Sequence, residues 1–71
     1  MLETLRDLRV RSGKSISEVA EVLFVKIQTV YRYEKGLRSI SIEQVLPLAE
    51  LYDVSAEEVI QAQINSFQND R

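Results

Sequence analysis

Residues 25–36 read Val-Lys-Ile-Gln-Thr-Val-Tyr-Arg-Tyr-Glu-Lys-Gly. Advancing about 100° per residue along a helix gathers Gln28, Tyr31, Arg32 and Lys35 into one arc about 100° wide, with no aliphatic side chain inside it. These four carry chemistry suited to a nucleic-acid duplex. A glutamine amide can pair in bidentate fashion with an adenine edge, and a guanidinium with a guanine edge. Lys35 and Tyr31 suit phosphate oxygens. Lys26 and Ile27 stand at the helix start, where free N–H groups and the positive dipole end favour phosphate, and Ile27 can touch a thymine methyl. A solvated basic face without a partner would satisfy the same pattern.

The opposite side of the stretch has to hold that arc in place. Val30 and Tyr33 fall there and are expected to pack inward. Glu34 falls on the buried side as well, where an unpaired carboxylate costs several kcal/mol. Arg9, one residue past Leu8, is a candidate partner, because its planar fork suits a bidentate contact. The pair Arg9–Glu34 is read as structural rather than catalytic. An exposed Glu34 in an intrahelical pair is the alternative.

The remaining chemistry is mostly exclusion. The 71 residues contain no cysteine and no histidine, which removes disulfides, thiolate or imidazole metal ligands, and the commonest general base and nucleophile. No glycine-rich phosphate loop or nucleophile–base pair is visible, so neither an enzyme nor any cofactor or metal is expected. No run of 18 apolar residues exists, no signal-peptide pattern opens the chain, and a reducing cytoplasm is the expected compartment. Hydrophobic residues at 45% and charged residues at 28% describe an ordinary globule. The net charge of −2 is divided unevenly. Residues 1–38 carry eight basic groups against five acidic ones, whereas residues 39–71 carry six acidic groups and only Arg71. Such a dipolar chain can turn a basic face to a polyanion.

Capping signals place the elements. Ser15 precedes Glu18, Ser41 precedes Gln44, and Ser55 precedes Glu58, each three residues apart and ahead of an apolar-periodic run. Helices are predicted over residues 2–11, 16–24, 27–35, 42–52 and 56–66, with Gly13 and Gly36 as terminators. No strand-like alternation competes, so the fold class is all-α, a bundle of five short helices in one domain spanning residues 1–71. Leu2, Leu5 and Leu8 form the first stripe. Pro47 falls inside the fourth helix and should either kink it or delay its regular part. The tail, residues 67–71, is expected to fray.

The order of these motifs resembles the XRE-type family of DNA-binding domains, relatives of the lambda and 434 repressors and of Cro. The similarity runs from Leu5 to about Ile60, through LRDLRVRSGKSISEVAEVL, TVYRYEKG and SISIEQVLPLAELYDVSAEEVI. It implies a helix-turn-helix whose third helix enters the major groove. Matched position by position, it implies base and backbone contacts from Lys26, Ile27, Gln28, Thr29 and Arg32. Tyr31 and Lys35 would flank them, and Arg38 would lie in a phosphate-contacting loop. It also implies an Arg9–Glu34 pair. Ser15 and Ile16, at the start of the second helix, match the region that touches the backbone beside the reading helix.

Three positions depart from the family pattern. Ile16 replaces a glutamine. Phe24 replaces the glycine of the turn, and since a bulky residue resists positive φ, either the turn is rebuilt or Phe24 packs locally. Val25-Lys26 offers no capping oxygen to the third helix.

The resemblance implies a transcriptional regulator of bacterial or phage type that binds double-stranded DNA as a homodimer on a palindromic operator. Ile60, Ile64 and Phe67, at i, i+4 and i+7, are candidate dimer-interface residues, or else Ile60 and Ile64 simply close the core. The alternative function is a protein-interaction module that keeps the fold without binding DNA, through an apolar ridge of Ile16, Phe24 and Tyr31.

Overall fold

The computed structural model describes residues 2–69 and shows five α-helices, with no strand among the described residues. They are α1 (Leu5–Arg11), α2 (Ile16–Leu23), α3 (Ile27–Glu34), α4 (Ile42–Tyr52) and α5 (Ala56–Asn69). The caps explain most of the boundaries. At α2, Ser15 N–H donates to Glu18 Oε1 (2.8 Å) and Glu18 N–H donates to Ser15 Oγ (3.1 Å). These bonds from Ser15 hold the Glu18 carboxyl below its usual pKa. At α5, Ser55 and Glu58 make the same reciprocal pair. At α4, Ser41 N–H donates to Gln44 Oε1 (2.9 Å), and Gln44 N–H returns to Ser41 O (3.0 Å). Pro47 does not delay α4, which starts at Ile42 and runs through it.

α2 and α3 each end one residue earlier than the sequence predicts, and two boundaries differ by three residues. The predicted start of α1 at Leu2 moves to Leu5, because Thr4 and Asp7 form a further capping box. Thr4 N–H donates to Asp7 Oδ2 (2.9 Å), and Asp7 N–H donates to Thr4 Oγ1 (3.3 Å). Thr4 is an extended N-cap, so Leu2 lies outside the helix and is exposed. Only Leu5 and Leu8 carry the buried face of α1.

The second difference is at the other end. Residues 67–69, expected to fray, belong to α5, whereas tail residues 70 and 71 lie outside the described residues. The reason is a polar latch. Asn65 and Ser66 are buried, and their hydrogen bonds tie α5 to the chain start. Asn65 Nδ2 donates to Glu3 O (2.8 Å). Ser66 Oγ accepts from Leu5 N–H (3.0 Å) and donates to Ala62 O (2.9 Å). Buried polar groups satisfied in this way cost little and fix one geometry.

At the centre, Leu8, Val19, Val30, Leu48 and Val59 are each at most 2% exposed, one from each helix. Burying an aliphatic side chain contributes about 1.5–3 kcal/mol, so every helix is held by the shared core. α3 packs against α1, α2 and α5. Its C-terminal end is fixed by Gly36, whose φ is +74°. A Cβ there would stand 2.6 Å from Ser66 O and 2.9 Å from Phe67 Cα, both backbone atoms that cannot rotate away.

Gly13 has a similar φ of +71° but open space around it. Gly13→Ala should therefore cost only the left-handed penalty of about 1–2 kcal/mol, and Gly36→Ala clearly more, at least about 3 kcal/mol. Urea unfolding of the two variants checks the ordering; equal losses would show that α5 moves aside freely.

Candidate nucleic-acid interface

α3 is seated from below. Val30 and Tyr33 are buried, and Glu34 points at α1. Arg9 Nε donates to Glu34 Oε2 (2.7 Å), and Arg9 Nη2 donates to Glu34 Oε1 (3.3 Å). The remaining nitrogen, Nη1, donates to Lys14 O in the α1–α2 loop (3.2 Å). The side chains are 14% and 6% exposed respectively, so the pair sits inside the protein rather than on a solvated helix face. The hydrogen bond to Glu34 raises the Arg9 pKa against the opposing effect of burial. Tyr52 of α4 lies in the same electrostatic neighbourhood. Burial, and then the Glu34 charge, push its hydroxyl well above the ordinary tyrosine range.

With that inner face occupied, the outer arc is free. Gln28, Tyr31, Arg32 and Lys35 are all exposed, as are Lys26 and Ile27 at the start of α3. Lys26 caps α3 by backbone alone, with no side-chain hydrogen bond. Thr29 is half-buried and lines an open cleft of about 430 Å³ beside the first turns of α3. Lys26, Arg38, Ser39 and Ser41 line it too. Tertiary folding thus brings Arg38, twelve residues beyond Lys26 in sequence, to the same cleft. Two cations and several hydroxyls around an open cleft suit a phosphodiester strand.

The start of α2 is placed differently. Ser15 is exposed, but both its hydroxyl and its amide are engaged with Glu18. Ile16 packs partly against the core and is therefore not part of an exposed ridge with Phe24 and Tyr31.

Phe24 does neither of the two things expected of it. The turn is not rebuilt. Val25 N–H closes back on Ala20 O (3.0 Å), and Phe24 takes φ 57° and ψ 45°, the left-handed C-cap that glycine usually fills. Nor does the ring pack locally: Phe24 is 94% exposed. Sequence reasoning also missed the latch residues Asn65 and Ser66, because their polarity reads as surface. Gln63 was missed too; its side-chain oxygen accepts from Ile40 N–H and steadies the loop carrying Arg38.

On α5, Ile60 and Ile64 are 41% and 44% exposed, while Val59 and Ala62 take the core positions. Phe67 is half-buried on the same side. The three do not close the core; they leave an apolar strip along the helix.

Two short helices joined by a tight left-handed turn, the second clamped inward and polar outward, define a helix-turn-helix protein. The chain belongs to the helix-turn-helix domain family, whose model matches residues 1–61. It is 45% identical over 51 residues to a protein from Pyrococcus furiosus named "Putative HTH-type transcriptional regulatory protein", covering 72% of this chain and 16% of the relative. A protein of the same description from Thermococcus kodakarensis is 34% identical over 58 residues, covering 82% of this chain and 18% of the relative. A third, from Pyrococcus abyssi, is 43% identical over 49 residues, covering 69% of this chain and 16% of the relative. The chain therefore spans less than a fifth of the length of these relatives. No solved structure gives a significant match.

Removing the Glu34 charge strands a buried guanidinium, so Glu34→Gln should cost about 2–4 kcal/mol in urea unfolding. Arg11 pairs with Glu3 at 3.3 Å with both side chains largely solvated. Arg11→Ala should cost less than about 1 kcal/mol. A Glu34→Gln loss as small as that of Arg11→Ala would mean that the buried pair contributes nothing.

Proposed function

We propose that the chain is the DNA-binding part of a cytoplasmic transcriptional regulator, a binding protein rather than an enzyme. α3 is the reading helix, lying in the major groove of double-stranded DNA. The observation that carries this reading is the division of α3: Val30, Tyr33 and Glu34 are fastened inward while Gln28, Arg32, Tyr31 and Lys35 all face solvent. Gln28 and Arg32 supply bidentate base recognition. Lys26, Thr29 and Arg38, gathered at one cleft, receive a phosphate strand. The membership of the helix-turn-helix family and the regulator names of the relatives support the same conclusion. On its resemblance we assign the chain to the bacterial and phage repressor type, while the relatives it matches come from Pyrococcus and Thermococcus. Binding would repress or activate according to where the site lies relative to a promoter.

One module reads only about four or five base pairs, so useful specificity calls for two. We assign the second to another copy of the chain, joined through the apolar strip on α5 formed by the exposed Ile60 and Ile64 and the half-buried Phe67, which makes the operator palindromic. The competing reading, an interaction module without DNA binding, has less support, because Ile16 is half-buried and the apolar ridge it needs is broken.

Selection of bound duplexes from a random pool should yield inverted half-sites, and affinity for them should fall steeply with salt, as phosphate neutralisation requires. Arg32→Ala should weaken the selected duplex about tenfold or more and relax the preference at one base pair. Affinity indifferent to both salt and Arg32 would sink the proposal. The dimer is tested separately by sedimentation of the Ile64→Ser, Phe67→Ser double variant, which should be monomeric where the wild type is dimeric; an undisturbed dimer would place the interface elsewhere.

A further inference from the structure

Phe24 is the most exposed large apolar residue among those described. A ring 94% exposed adds almost nothing to burial, and the left-handed backbone is unfavourable for any residue bearing a Cβ. Glycine would close α2 in the same conformation with less strain. Neither the side chain nor the residue type serves the fold.

Its position indicates what it serves. Phe24 is three residues ahead of Ile27, where α3 begins, so the two Cα atoms lie within about 11 Å. A helix with its side chains is about 10–12 Å across, and the major groove of B-DNA is about 12 Å wide. A helix that fills the groove leaves no free space beside it. A ring carried on the turn just ahead of its first residue is therefore within reach of a groove wall. That wall is deoxyribose and phosphate. The phenyl ring has no hydrogen-bond donor for phosphate, but its apolar surface fits the C–H face of a sugar.

We infer that the Phe24 ring packs against deoxyribose at the rim of the major groove and sets the depth and angle at which α3 enters. The contact is independent of base sequence, since every nucleotide presents the same sugar. Ile16, the first residue of α2, is apolar and half-buried and offers no polar side chain there. The inference rests on α3 being the reading helix.

The test compares wild type, Phe24→Gly, Phe24→Ala and Arg32→Ala on the duplex selected from a random pool and on an unrelated duplex. Phe24→Gly should raise the melting temperature by about 4 °C or more, through relief of the left-handed residue. It should weaken both duplexes by a similar factor of about five to ten, from lost apolar contact, with the salt slope unchanged because no charge is lost. Phe24→Ala should weaken binding equally without the gain in melting temperature. Hydroxyl-radical cleavage, which attacks deoxyribose, should show a protected sugar in the wild-type complex that both Phe24 variants expose.

Binding by both variants within twofold of wild type, with the same sugars protected, would overturn the inference. So would a loss confined to one duplex, which would mean base contact, or a loss of self-association with duplex binding intact, which would mean a protein contact. If Arg32→Ala weakens the selected duplex while the Phe24 variants do not, the inference alone fails. If Arg32→Ala has no effect on any duplex, the reading-helix assignment fails with it.

Discussion

The buried bond between Arg9 and Glu34 is the constraint on which the outer face of α3 depends. α3 has eight residues and no side-chain cap, and a helix shorter than about 12–15 residues is marginal by itself in water. Its conformation and tilt must come from tertiary contacts. Val30 and Tyr33 supply the apolar part of that seat, but apolar contacts tolerate rotation about the helix axis. A bidentate guanidinium–carboxylate contact does not, because both hydrogen bonds must stay in plane. Arg9 also reaches Lys14 O, so one guanidinium sets the spacing of α1, the α1–α2 loop and α3. Burial makes the arrangement decisive, since either charge alone inside the protein would be strongly unfavourable.

The far end of α3 is held by different means. Gly36 brings the chain against the backbone of Ser66 and Phe67 more closely than any side chain would allow. Ser66 in turn binds Leu5 N–H, and Asn65 binds Glu3 O. α5 therefore links the end of α3 to the start of α1, and α1 returns to α3 through Arg9. The loop of contacts closes on itself, which is how so short a chain can present a rigid polar face with few buried residues.

Much of this was legible beforehand, for physical reasons that differ by residue. The caps at Ser15, Ser41 and Ser55 are local, and three-residue spacing suffices to read them. The inward placement of Val30, Tyr33 and Glu34 follows from helical periodicity. The Thr4–Asp7 cap was hidden because Leu2 extends the apolar stripe one turn too far, and a stripe does not show where the chain turns extended. The inward side of Asn65 and Ser66 could not be read from polarity, since their burial depends on backbone groups more than sixty residues away in sequence. Phe24 was misjudged in the opposite sense: the left-handed turn was retained despite its Cβ, because the closing bond from Val25 to Ala20 holds it.

The five helices, the inner and outer faces of α3, and the residue types able to meet a duplex can all be read from the amino-acid order. These depend on spacing of a few residues and on the chemistry of single side chains. Folding in three dimensions is what brings Arg38 to a cleft with Lys26 and Thr29, leaves Ile60 and Ile64 uncovered, and stands Phe24 out into solvent beside the start of α3. Those facts depend on which segments meet, and on the one geometry in which the buried polar groups are all satisfied at once.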